Sequence, residues 1–131
     1  MISLDDFVEA HITNLQFLED KRLIELTFIL VKGRKAVLKI VGADRFVANE
    51  LRETNIVDQI QVWDQKSELD SFKEDLTELV TGDQDHLKNA LEHVIQKELL
   101  SIKSGEKVFI VIEPVCGARI LALANSFSLD Q

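Results

Sequence analysis

The chain has 131 residues, 46% apolar and 29% charged, with one Cys, one Pro, five Gly and a formal net charge of −8. That is the length and balance of one globular domain, residues 1–131, able to bury roughly two-thirds of the surface of its unfolded chain. A lone Cys excludes an intramolecular disulfide, the lack of any ~20-residue apolar run argues against a membrane helix, and the acidic balance argues against nucleic acid as partner.

The first residues, Met1-Ile2-Ser3-Leu4-Asp5-Asp6, lack the basic and apolar regions of a secretory signal, and the expectation is a soluble, cytoplasmic protein. The first half reads as sheet. Residues 10–18 carry Ile12, Leu15 and Phe17. Residues 23–31 alternate Ile24, Leu26 and Phe28 with Glu25 and Thr27, as a half-buried strand requires. Lys32-Gly33-Arg34-Lys35 is a turn, and residues 36–41 return as the second arm of a hairpin. Val41-Gly42-Ala43-Asp44 breaks the strand, and residues 44–53 are expected to form a short helical turn carrying Phe46 and Leu51. Residues 55–63 form a fourth strand, with Ile60 and Val62 on one face and Trp63 on the other.

The middle reads as helix. From Ser67 to Val80, Phe72, Leu76, Leu79 and Val80 make one apolar stripe, opened by Ser71 with Glu74 at capping-box spacing, or by Ser67 with Asp70. Gly82 stops that helix. Asp83 is the expected N-cap of a second one over residues 84–102, with Leu87, Leu91, Val94, Ile95, Leu99 and Ile102 on one face. Lys107–Glu113 is a Val- and Ile-rich strand, Pro114 and Gly117 frame a break, and Ala118–Leu129 is a final strand or strand–helix mixture. The expected fold is α+β, a largely antiparallel sheet of about five to six strands with two helices between strands 4 and 5, in the order β-β-β-β-α-α-β-β.

No constellation points to catalysis, a metal or a cofactor. His86 and His93 stand seven residues apart, where a metal pair on a helix needs three or four. His11 opens a strand without an evident partner. Cys116 has no adjacent base to lower its pKa, and Trp63 and Phe72 read as core anchors. The charge is uneven instead. Residues 21–63 lean basic, while residues 64–85 carry Asp64, Glu68, Asp70, Glu74, Asp75, Glu78, Asp83 and Asp85 against Lys66 and Lys73. Like charges four apart, as at Asp70, Glu74 and Glu78, cost a few tenths of a kcal/mol each on a helix. A face kept acidic at that cost is either solvated or reserved for a basic partner, whose approach it would steer.

Two segments resemble small bacterial immunity-type proteins, including those paired with contact-dependent growth-inhibition toxins. One is Leu38-Lys39-Ile40-Val41-Gly42-Ala43-Asp44-Arg45-Phe46 followed by Glu50-Leu51-Arg52-Glu53-Thr54-Asn55-Ile56-Val57, and the other is Ile112-Glu113-Pro114-Val115-Cys116-Gly117-Ala118. The resemblance implies a non-enzymatic cytoplasmic protein that binds and neutralises a cognate toxin domain. It transfers no contact residues; the acidic residues from Asp64 to Asp85 are the candidate partner-binding set. An adaptor or secretion chaperone of similar size and charge is the alternative, and a small enzyme using His86, His93 or Cys116 is a third.

Overall fold

A computed structural model describes residues 2–82 and 84–131. Among the described residues eight strands form one sheet: β1 (His11–Leu18), β2 (Leu23–Ile29), β3 (Lys35–Val41), β4 (Arg45–Asn49), β5 (Ile56–Trp63), β6 (Val108–Cys116), β7 (Arg119–Ala124) and β8 (Ser126–Asp130). Two helices, α1 (Lys73–Thr81) and α2 (Glu92–Lys103), lie between β5 and β6. The strand order is β4-β7-β6-β5-β1-β2-β3-β8, and every pairing among the described residues is antiparallel. The fold is α+β as expected, but with eight strands and with the helices one strand later.

The difference lies at two bends. Residues 45–49 are strand, not helical turn, and the C-terminal strand is split at Asn125. β3 pairs with β8 from Val41↔Ser126 outward, and β4 pairs with β7 from Arg45↔Leu123 onward. Asn125 N–H donates to Val41 O (3.0 Å) and Asp44 N–H to Leu123 O (2.9 Å), so one ladder runs through both bends. The two strands therefore turn the corner together, which is how strands pass from one layer of a sandwich to another. Gly42 makes the corner. It holds φ 70°, and a Cβ there would collide with Asn125 Oδ1.

The bent sheet forms two layers, β1-β2-β3-β8 and β5-β6-β7-β4, joined a second time where His11 pairs with Ile56. Ile24, Leu26, Phe28, Leu38 and Ile40 from one layer share a core with Val57, Ile60, Ile110, Ile112 and Ile120 from the other. Phe7 closes it, its ring edge-on to Phe28 at 4.8 Å. The helices cover the opposite face of β6 and β7, where Phe72, Leu76, Ile95, Leu99 and Ile102 pack on Phe109, Val111, Leu121 and Leu123. Burial on both faces explains the unbroken apolar run Ile120–Ala124, which periodicity alone leaves ambiguous between strand and helix. Ile60 and Val62 face the inter-layer core and Trp63 the helices, as the alternation requires.

Three local expectations are corrected. α1 begins at Lys73 rather than near Ser67, because Phe72 leaves helical geometry (φ −134°, ψ 0°) as its ring is buried against Trp63 and Phe109. No side-chain cap forms there; Ser67 instead accepts a hydrogen bond from Asp64 N–H at 3.0 Å. α2 is shorter than residues 84–102, since the chain before it is a 3-10 turn, Asp85–Leu87, followed by tightened turns ending in Glu92 N–H to Asn89 O. The expected cap Asp83 lies outside the described residues. Pro114 does not break its strand. It sits in β6 opposite Val57, at a register shift of β5 that absorbs the missing N–H.

Candidate functional site

The acidic segment divides into two groups in the fold. Asp64 shapes a turn, its carboxylate accepting from Lys66 N–H at 2.9 Å. Asp75 and Glu78 stand three apart, on one helix face. That face meets β7, and both residues hold Arg119: Nη1 donates to Glu78 and Nη2 to Asp75, each at 2.6 Å. Glu113, from the neighbouring β6, takes Nε and Nη2 of the same guanidinium at 3.1 to 3.3 Å. Burial opposes the charge on Arg119, but Glu113, Glu78 and Asp75 outweigh it and push its pKa further up. Three carboxylates on one cation leave the cluster negative while tying α1 to the sheet. Sequence reasoning missed Arg119 because its partners on α1 lie 41 and 44 residues away.

Glu68, Asp70, Glu74 and Asp85 are exposed and make no ion pair among the described residues. Asp70 and Glu74 line a groove of about 330 Å³ between α1 and the approach to α2, with Lys73, Thr77, Lys88 and Glu92. The groove is therefore of mixed sign, with the acidic residues in slight excess. Asp83 belongs to the same stretch of chain but lies outside the described residues.

A second charged network sits at the corner of the sheet. Glu98 on α2, 5% exposed, accepts from Arg45 Nε at 2.6 Å and from Lys107 Nζ at 3.2 Å. Lys107 also pairs with Asp44, which takes Arg22 at 2.8 Å. The hydrogen bond from Lys107, with help from Arg22 and Arg45, holds the Asp44 carboxyl below the usual carboxylate range despite its partial burial. Burial pulls Lys107 down, yet Asp44 and Glu98 outweigh it and hold its ammonium above the usual lysine range. The network fastens α2 to the bend between β3 and β4. Its members satisfy one another, which marks it as structural.

The two segments that carry the immunity-protein resemblance meet. Asn55, buried, accepts from Ala118 N–H (2.8 Å) and Arg52 N–H (3.1 Å) and donates to Arg52 O (2.6 Å). Gly117 fits under it at φ 85°, and a Cβ there would lie 2.6 Å from Thr54 O. These two segments thus form a backbone junction between β5, β6 and β7.

The remaining candidates are separated. His86 lies on the 3-10 turn before α2, His93 on the exposed side of α2, and Cys116, exposed, at the end of β6 with its thiol 3.9 Å from Thr54 O. His11 lines a cleft of about 560 Å³, together with Glu9, Ile29, Leu30, Val31 and Val115. Among the described residues no group of three or more His, Cys, Asp or Glu is arranged to hold a metal, and no helix is long and apolar enough to cross a membrane.

No protein-family model matches the chain, and no curated protein matches it. A crystal structure of an uncharacterized protein from Neisseria gonorrhoeae is similar in fold, with a TM-score of 0.53 at 10% sequence identity over 95% of this chain and 93% of that one. At that identity the likeness shows the fold alone.

Proposed function

We propose that this chain acts by stoichiometric binding of a basic protein partner, in the manner of an immunity protein that covers a cognate toxin domain. The observation that carries the reading is the exposed acidic set Glu68, Asp70, Glu74 and Asp85 beside the α1 groove. Asp75 and Glu78 are spent on Arg119 and support that face from beneath. A surface with an excess of one sign raises the encounter rate with an oppositely charged partner, while affinity comes from a few buried anchors.

The test is to search the neighbouring reading frame for a secreted protein with a variable C-terminal domain and to measure association kinetics with that domain. Glu68→Lys, Asp70→Lys and Glu74→Lys together are expected to lower the on-rate about 10- to 100-fold at low salt and to flatten its salt dependence. Unchanged rate and salt slope would sink the reading. An adaptor or secretion chaperone is the second reading, favoured by exposed Val8, Val31 and Val115. It expects capture of an unfolded or extended polypeptide that Val31→Glu abolishes.

A further inference from the structure

We infer that the surface where the N-terminal 3-10 turn, Leu4–Phe7, meets the β2–β3 loop is a self-association face, on which a second copy of this chain docks across a two-fold axis. The inference uses none of the acidic residues of the proposed partner site and stands apart from that reading.

Three observations converge on this face. Two adjoining clefts, of about 560 and 260 Å³, share Leu30 and Val31 and so form one continuous depression. Val8, Val31 and Val115, which line it, are 45%, 66% and 61% exposed, and water gains from covering all three at once. The charges around them are of both signs, and two chain segments bring them to the smaller cleft together. Asp5, Asp6 and Glu9 come from the N-terminal segment, and Lys32 and Arg34 from the β2–β3 loop.

A face that carries both signs favours an occupant that carries both signs too. A two-fold contact requires a patch complementary to itself, residue i meeting j while j meets i. The proposed contact is the half-turn that brings Val31 against Val31 and the acidic segment of one copy against the basic loop of the other. Two chains of net charge −8 repel over most of their surfaces, so a nearly neutral, bipolar, apolar-centred face is where they meet at least cost. A wholly basic partner would be opposed by Lys32 and Arg34, and an acidic one by Asp5, Asp6 and Glu9. The depression is smaller than the roughly 20–30 residues a side of a standard interface, so the dimer is expected to dissociate on dilution.

The experiment is sedimentation of the full chain from about 1 μM to about 1 mM, a range that brackets weak association. The wild type should rise from 14.9 kDa toward twice that mass. Lys32→Glu with Arg34→Glu, and separately Asp5→Lys with Glu9→Lys, should each stay monomeric while keeping the wild-type circular dichroism. An equal mixture of the two variants should recover the dimer, because opposite charges then face each other again. Val31→Glu, at an exposed position that leaves the core intact, should also stay monomeric. A wild type that remains at 14.9 kDa throughout overturns the inference. So does self-association untouched by all three variants, or a mixture that fails to pair. A monomeric wild type whose capture of a protein partner is lost in Val31→Glu assigns the face to that partner and overturns self-association equally.

Discussion

Replacing Arg119 with Met keeps much of the aliphatic stem and deletes the cation that Asp75, Glu78 and Glu113 share. An exposed ion pair contributes ~0–1 kcal/mol, whereas breaking a buried one costs ~3–5 kcal/mol. The four side chains here are 22%, 26%, 28% and 28% exposed, between those limits but nearer solvent, so each of the three pairs is taken at ~1 kcal/mol. The loss is then ~3 kcal/mol. At ~2 cal/mol/K per residue of unfolding entropy, the chain of 131 residues loses ~10 °C in Tm. Urea unfolding followed by the fluorescence of Trp63, which stacks on Phe72 inside the same helical cluster, reads the change directly. The sharper signature is a reversal of sign. In the wild type, Asp75→Asn and Glu78→Gln each remove an attraction and destabilise. In the Arg119→Met background each removes a repulsion and stabilises. A cost for Arg119→Met under ~1 kcal/mol, or the same sign in both backgrounds, would refute the assignment of these two carboxylates to the fold.

The Asp44–Lys107 pair makes stability depend on pH at both ends. Asp44 titrates lower folded than unfolded, so its contribution is complete above its unfolded value near ~4 and is lost as pH falls through the lowered one. Lys107 titrates higher folded, so its contribution is complete below ~10 and is lost as pH rises through the raised value. Lys107→Met should flatten both limbs of a urea-midpoint profile; a constant offset from wild type at every pH would contradict this. Asn55→Ala leaves the Ala118 N–H buried and unpaired and should cost ~2–3 kcal/mol in urea unfolding. Gly117→Ala forces a Cβ toward Thr54 O at φ 85° and should cost at least ~2 kcal/mol, with Gly117→Ser no better. For either Asn55→Ala or Gly117→Ala, wild-type stability would mean the junction between β5, β6 and β7 is not held as described.

Local patterning by itself determined much of the fold. Alternation in residues 23–41 yields the hairpin and its buried face, Gly33 marks its turn, and the stripes Phe72–Leu79 and Ile95–Ile102 yield the helix faces that the core uses. These features are legible because each depends on residues within a few positions of one another. Only the tertiary structure decided that Arg45–Asn49 is a strand, since its partner β7 lies some seventy residues on and supplies the hydrogen bonds that local propensity cannot. The same holds for the acidic segment. Composition displays eight carboxylates, but which of them face solvent depends on Arg119 and Glu113 arriving from strands that follow both helices. Periodicity records the environment of a helix or strand on each face; it carries no record of which distant chain segment provides that environment.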